Sequence, residues 1–499
     1  MKESVDAGSF SPRTRRLALF LAPLAALALY LILPTHYTNQ VGELVEFTHA
    51  GRACLCVVLW MAIWWLMEPV HIAVTALLPL VLFPLFGITT AAKAMAPYAS
   101  DTIFLFMGGF LIAAGVQRWG LDKRIALTTL KYAGTKPDHI VGGLMFASAF
   151  ISMWVSNTAT AAMMVPIAMA VLNLVRESEG GTEMSQREKN FGIAVLLAIA
   201  YGASIGGMAT IIGSPPNGIY ARFVTQTYGE PVTLLEWMKV GLPVTVILLP
   251  LAWAILTKFL FRNSIENVKG GAQWINSELR KLGPLSKGER CVMYVFCLAV
   301  FLWTFGSVIR GIPVGGVLVF KPMTDSVIAM FAGILLFAIP VDENTYCLDW
   351  ASAKDISWDT LLLFGGGLSM AAALQATGSG ALLGAKCAGL AGMPTWIVIL
   401  AVSTMVVFVT NFTSNTALAA TLIPLFASVA PVMGVPSHTM LMVTALSASG
   451  AFLMPVGTPP NAIIFGTGRI TIMQMVRAGF FISWAAIGVI SVVSYLMLD

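Results

Sequence analysis

The chain has 499 residues, of which 58% are hydrophobic and only 11% charged; soluble domains carry about 25% charged residues. That composition excludes a water-soluble globular enzyme, and apolar runs of membrane-spanning length recur from end to end, so helices rather than barrel strands do the spanning. The net charge of +5 is no nucleic-acid signature, because the basic residues sit between the apolar runs, where they set topology.

Arg13, Arg15 and Arg16 precede a first span near 17–33. Pro34-Thr35-His36 beyond it does not resemble a signal-cleavage site, so a retained helix with a cytoplasmic N-terminus is expected. A polar outer loop, 34–49, leads to spans near 51–67 and 70–86, parted by Glu68-Pro69; Glu68 and His71 read as interfacial. The next span begins near Asp101 and ends near Gln117, and Arg118, Lys123, Arg124, Lys131 and Lys136 then form a basic inside stretch. From Ile140 to Val175 there is no Asp, Glu, Lys or Arg. Two halves of about 16 residues meet there at Ser156-Asn157-Thr158, short for crossings of about 20 residues each. The expectation is a re-entrant helical hairpin over 139–173 with the triplet at its tip. After a charged inside loop, 176–190, the fifth span is interrupted at Gly213-Ser214-Pro215-Pro216-Asn217, where two prolines remove backbone donors. A span near 240–261 precedes the longest inside loop, marked by Lys258, Arg262, Lys269, Arg280, Lys281, Lys287 and Arg290.

The second half repeats the plan. Spans are predicted near 291–309, 326–340 and 358–375. A segment free of Asp, Glu, Lys and Arg, 394–437, holds Ser414-Asn415-Thr416 at the tip of a second hairpin, 394–433. A span broken at Gly457-Thr458-Pro459-Pro460-Asn461 and a last one near 478–497 complete about eleven crossings, with Asp499 outside. Val155–Val171 reads VSNTATAAMMVPIAMAV and Thr413–Val429 reads TSNTALAATLIPLFASV; Ser156 and Ser414, like Pro166 and Pro424, stand 258 residues apart. The same interval relates Asp101-Thr102 through Gly108-Gly109 to Asp359-Thr360 through Gly366-Gly367. The Pro-Pro-Asn loops are 244 apart, the 14-residue difference matching the loop at 176–190. Corresponding spans run in opposite directions, so the fold class is an all-α integral membrane protein of inverted repeats. Such repeats with discontinuous helices place a substrate site near the bilayer midplane, between the halves.

Neither hairpin contains Arg or Lys, so an anion held at the tips meets neutral donors. A helix restarting after each triplet offers free N–H groups and the positive end of its dipole. Asn157 and Asn415 add amides, and Thr158 and Thr416 add hydroxyls. The same turns expose the carbonyl, amide and hydroxyl oxygens that suit Na⁺, and a sodium ion beside a dianion lowers the cost of burying either. A single Ser-Asn-Thr is more often a helix N-cap; two copies in matching places, each with a Pro-Pro-Asn break, favour one site built from two halves. Asp101, Asp359 and Asp325 read as N-caps. Gly202-Ala203-Ser204-Ile205-Gly206 has the G-x-S-x-G form, which makes an intramembrane serine protease using Ser204 a remote alternative. His36, His49, His71, His139 and His438 all fall at helix ends or in loops, so the two glycines read instead as a close helix contact. A passive channel is disfavoured, since filters do not usually come as two inverted broken helices. Cys54, Cys56, Cys291, Cys297, Cys347 and Cys387 lack zinc spacing and read as small buried side chains.

On these paired motifs the chain resembles the divalent anion:sodium symporter family, also called the INDY or sodium-dicarboxylate symporters, from about the second span to the last. The resemblance implies a homodimer of eleven-helix protomers, each with a scaffold domain and a transport domain that moves as an elevator. On that plan 1–87 and 291–357 are scaffold, 88–262 and 358–499 are the repeats, and 263–290 is a cytoplasmic linker. It implies one sodium site from Ser152, Ser156, Asn157 and the Gly213 carbonyl, and a second from Thr410, the Thr413 backbone, Asn415 and Gly457. Substrate carboxylates would meet Ser156, Asn157, Thr158, Ser414, Asn415 and Thr416, with Thr458 and Pro459 placed to touch them. Retained oxygens at Ser152 and Thr410 favour symport over exchange. The implied activity is not enzymatic: it is sodium-driven import of a C4-dicarboxylate such as succinate, fumarate or malate across the inner (cytoplasmic) membrane. Citrate, other tricarboxylates, sulfate and dicarboxylate exchange stay open, because the motifs bind two anionic ends without measuring the distance between them.

Overall fold

Helices dominate the computed structural model, which describes residues 12–38, 43–179, 185–262, 267–268, 270–313, 317–380, 382 and 392–497; Lys269, Cys387 and Asp499 lie outside them. Among the described residues nine helices are long and apolar enough to cross a membrane, and three apolar helices are shorter. The N-terminal part holds α1 (Pro12–Ile32), α2 (His49–Met67), α3 (Ile72–Thr75), α4 (Leu78–Leu85), α5 (Ala91–Met95) and α6 (Asp101–Arg118). The first repeat continues with α7 (Leu121–Ala133), a hairpin of α8 (Pro137–Ser152) and α9 (Asn157–Glu179), a broken helix α10 (Gln186–Gly207) and α11 (Pro215–Tyr228), and α12 (Leu234–Ala254). Next come α13 (Gly271–Leu282), α14 (Lys287–Arg310), α15 (Asp325–Ala338) and α16 (Trp350–Ala353). The second repeat holds α17 (Trp358–Ala376), a hairpin of α18 (Thr395–Val409) and α19 (Asn415–Val429), a broken helix α20 (Ser437–Ala448) and α21 (Pro459–Phe465), and α22 (Ile472–Leu496). Two short antiparallel ribbons, His36–Thr38 with Leu44–Glu46 and Pro340–Asp342 with Thr345–Tyr346, depart from an all-helical chain.

Several local expectations change. The breaks in α10/α11 and α20/α21 come earlier than the prolines, after Gly207 and Ala448. Pro215-Pro216 and Pro459-Pro460 open the second segments instead, at positions where a helix has no use for the missing N–H. Asp101, Asp325 and Asp359 are not N-caps: Ser100, Thr324 and Ser357 hold those positions, and the aspartates lie in the first turn, where a negative charge complements the helix dipole. The basic stretch after Arg118 forms α7, and the segment expected to be a linker holds α13, strongly amphipathic and laid against α7. Arg124 ties α7 to α14 by donating to Glu289 at 2.6 Å. The first hairpin is also unequal, with arms of 16 and 23 residues, so the second arm alone is long enough to span.

The packing of the two repeats is reciprocal. α10 lies against α8 and α9, as α20 lies against α18 and α19; α11 crosses to α19 while α21 crosses to α9; and α12 meets α22. Each contact has its exchanged counterpart, the pattern of a pseudo-two-fold axis. α10 is at the centre, buried at every residue from Phe191 to Gly207. It approaches α8 backbone to backbone through Gly202 and Gly206, where an added Cβ would strike Met145 and Ala149 carbonyls. Gly108 of α6 lies likewise on Ala329, and Gly366 of α17 on Ala76, so the repeated glycine pairs serve helix contact. Outer faces stay apolar: Phe20, Leu24, Leu31, Phe301 and Phe305 are exposed, a surface suited to lipid.

Candidate functional site

The two hairpin tips are built alike. α8 ends at Ser152 and α9 begins at Asn157; Ser156 Oγ accepts from Ala159 N at 3.3 Å and so caps α9. In the second hairpin Ser414 Oγ accepts from Ala417 N at 3.4 Å and caps α19. The motif serines therefore do the capping, and the asparagines that follow turn their amides back across the tip.

At the first tip Asn157 Oδ1 lies 2.5 Å from Ser152 Oγ. The same end of the amide is 3.2 Å from both Gly213 O and Ala203 O. The two orientations of that amide have opposite chemistry. Oxygen inward, it joins three other oxygens in a cluster that has no internal donor except the serine hydroxyl, a ligand set for a hard cation. Nitrogen inward, it donates to all three and the cluster satisfies itself without an ion. At the second tip Thr410 Oγ1 is 2.6 Å from Asn415 Oδ1 and 2.8 Å from Ala448 O, so three oxygens converge there too. Thr413 Oγ1 beside it is buried without a hydrogen-bond partner among the described residues.

The breaks in α10/α11 and α20/α21 are braced by the asparagines of the Pro-Pro-Asn loops, both fully buried. Asn217 Nδ2 donates to Gly207 O at 2.9 Å and Thr210 O at 2.8 Å. Asn461 Nδ2 donates to Ala451 O and Met454 O, both at 3.0 Å, the same distances back along the chain. Carbonyls freed where the helix stops thus regain donors. Each break is also tied to its own tip: Thr210 Oγ1 donates to Met153 O at 2.5 Å, and Leu453 N donates to Asn411 Oδ1 at 2.7 Å. Gly207 and Gly213 leave no room between tip and break, since a Cβ on Gly213 would stand 2.8 Å from Gly207 O and 2.9 Å from Ser152 O. The two breaks meet: Ser214 Oγ and Ser449 Oγ, both buried, are 2.8 Å apart, and Tyr201 of α10 donates to Phe452 O at 2.9 Å. The half-sites are one polar locus inside an apolar body.

Of the residues expected from sequence, Ser152, Asn157 and Gly213 come together at one tip, and Thr410 and Asn415 at the other. Gly457 faces Asn411, next to Thr410, with an added Cβ 3.3 Å from Asn411 O. Ser156 and Ser414 are caps, Thr158 is exposed and Thr416 half-buried at the tips. Thr458 is buried and caps α21 by accepting from Asn461 N at 3.4 Å, while Pro459 is exposed at the first helical position. Sequence reasoning missed Ala203 O, Thr210, Asn411 and the Ser214–Ser449 contact, and it passed over the bracing by Asn217 and Asn461 although both stood in the repeated loops. Ser204 is buried in α10 between the two packing glycines. The histidines are engaged elsewhere: His49 with Tyr30 and Phe86 O, His71 as a cap of α3, His139 with Ala133 O, His36 with Thr35 and His438 with Glu230.

Comparison with known proteins gives a consistent picture. A family model described as the sodium:sulfate symporter transmembrane region matches residues 16–498. The sodium-dependent dicarboxylate transporter SdcS of Staphylococcus saprophyticus is 35% identical over 483 residues, covering 96% of this chain and 90% of the relative. SdcS of Staphylococcus aureus is 38% identical over 452 residues, covering 90% and 86%. Among solved structures, the YdaH transporter of Alcanivorax borkumensis superposes with a TM-score of 0.59 at 15% identity, covering 97% of this chain and 98% of that one. That last likeness speaks to the fold alone.

Proposed function

The chain belongs to the sodium:sulfate symporter family, and from that premise we propose that it is a sodium-coupled secondary transporter importing C4-dicarboxylates such as succinate, fumarate and malate. The observation that carries this reading is the pair of neutral oxygen clusters, one around Asn157 and one around Asn415, joined through breaks that touch at Ser214 and Ser449. The ligands of each cluster are uncharged, so sodium supplies the positive charge that a buried dianion needs, and each ion lowers the cost of binding the other. The helix N-termini at the tips offer their free N–H groups to the two carboxylates, joined by Ser156, Asn157, Thr158, Ser414, Asn415 and Thr416, with Thr458 and Pro459 touching the substrate. One sodium is held by Ser152, Ser156, Asn157 and Gly213, the other by Thr410, Thr413, Asn415 and Gly457. A site with no fixed cation releases its anion readily, which suits turnover.

In this reading the protein is a multi-pass protein of the cytoplasmic membrane with its N-terminus inside, works as a homodimer, and carries no catalytic activity. About eleven crossings and two re-entrant hairpins divide into a scaffold and a transport domain that moves as an elevator. Support comes from the placement of Arg and Lys, from the reciprocal packing of the repeats, and from relatives named as sodium-dependent dicarboxylate transporters. Succinate uptake by the purified protein in proteoliposomes, driven by an inward Na⁺ or an inward K⁺ gradient, tests it. Sodium should drive accumulation and potassium should not; equal uptake would remove sodium coupling. Asn157→Ala and Asn415→Ala should each abolish uptake while the protein stays folded, and near-normal uptake by either would contradict a site shared between two tips.

A further inference from the structure

A second polar locus lies apart from the tips. A cavity of about 330 Å³ opens between α5 and the turn after it, α11 and α17, lined by Lys93, Arg222, Gln226 and Ser369 among small apolar residues. Its size falls in the range of small-molecule sites, roughly 300–1,000 Å³. It sits at the start of α6, where Asp101 accepts from Arg222 Nη1 at 2.6 Å. The other end of α6 carries Arg118, paired with Asp349 at 2.8 Å, and leads into the basic stretch of α7. By the distribution of Lys and Arg that far end is cytoplasmic, so the cavity opens on the outer face. α11 connects it to the site: Pro215 starts the helix at the break and Arg222 follows seven residues on, about 10 Å along the axis.

The charges in the cavity are not all used. Lys93 is exposed and makes no ion pair among the described residues, and Arg222 keeps Nε buried with no hydrogen-bond partner while Nη1 serves Asp101. We propose that this cavity is an outer docking site for the dicarboxylate, which Lys93 and Arg222 hold at the outer face before it is taken up at the tips. The proposal rests on the transport reading above and adds a second site of opposite design. No side chain at the tips themselves carries a positive charge. Lys93 and Arg222, less the Asp101 carboxylate paired with Arg222, leave one net positive charge at the mouth, which raises the dianion's local concentration and rate of encounter while the inner site stays free of a fixed charge that would hold it.

A labelling experiment tests the site without needing transport. Gln226→Cys, in purified full-length protein whose six native cysteines are replaced by Ser, is reacted with an uncharged maleimide at low ionic strength. Succinate should slow the labelling several-fold, acetate much less, and the protection should vanish when Lys93→Gln is added. It should survive in Gln226→Cys with Asn415→Ala. Failure of succinate to protect, or loss of protection with the Asn415 change, would overturn the proposal, the second because it would make the effect a distant consequence of binding at the tips. In uptake assays Lys93→Gln should raise the KM for succinate about three- to ten-fold with kcat unchanged, and choline chloride at fixed sodium should close the gap as screening shortens. A fall in kcat with KM unchanged would count against capture. Absence of sodium-driven uptake by the wild-type protein would count against the transport reading and leave the labelling result standing.

Discussion

Gly213 and Gly457 occupy equivalent places in the two breaks, and the same substitution at each should have very different results. Neither glycine is in the left-handed region, so only space matters. An alanine Cβ at 213 would stand 2.8 Å from Gly207 O and 2.9 Å from Ser152 O. Both neighbours are backbone and cannot swing aside, so the tip must move away from the break, opening the cluster in which Gly213 O faces Asn157. Overpacking of this kind costs about 1–3 kcal/mol, which corresponds to roughly a 5- to 150-fold loss if it falls on sodium binding. At 457 the nearest atoms are Ala451 Cβ and Asn411 O, both at 3.3 Å, which a shift of a few tenths of an ångström accommodates. The cost there should stay below about 1 kcal/mol, or roughly 5-fold. The assay is the sodium concentration that gives half-maximal succinate uptake in proteoliposomes, measured for both variants and the wild type. Gly213→Ala should shift it strongly and Gly457→Ala slightly, with maximal uptake partly restored at high sodium. Equal shifts, or a larger one at 457, would refute the argument that tip-to-break clearance sets the first sodium site.

Other consequences follow from the bracing. Asn217→Ala and Asn461→Ala each delete two buried hydrogen bonds and leave two carbonyls unpaired, at about 1 kcal/mol or more per bond; each should lower the melting temperature in detergent and reduce uptake, and a wild-type melting curve would contradict the role assigned to them. In a double-mutant cycle, Ser214→Ala and Ser449→Ala should couple by about 0.5–1.5 kcal/mol, whereas strictly additive effects would mean that their contact contributes nothing. Ser204→Ala should leave most uptake intact, because its buried hydroxyl makes no hydrogen bond among the described residues; complete loss would reopen a chemical role for it.

The tips could be read from sequence because polar triplets stand out against an apolar background and recur at one interval. Their detailed chemistry could not. Pro-Pro-Asn announces a discontinuity, but prolines tolerate a helix start better than a helix interior, so the breaks lie upstream of them at Gly207 and Ala448. The asparagine of that motif reads as a loop residue, and only the fold brings its amide back to carbonyls seven and ten residues earlier. Asp101, Asp325 and Asp359 looked like caps, yet a Ser or Thr one or two residues earlier takes the cap position, leaving the carboxylate in the first turn. α7 and α13 escaped detection because their Lys and Arg residues masked an amphipathic helical pattern. Contacts between the halves, such as Ser214 with Ser449, join residues 235 positions apart and leave no local trace in the chain.

The crossing of α11 onto α19 and of α21 onto α9 has a bearing on leakage. Each repeat holds the far end of the other's broken helix, like two hands gripping each other's wrists. On the proposed two-sodium reading, this interlock ties the opening of one tip to the other and works against one sodium ion slipping ahead of its companion and the anion. On that reading coupling between the ions depends on this buckle between the repeats. Damage to the buckle, more than damage to a ligand, is where an uncoupled current would first show.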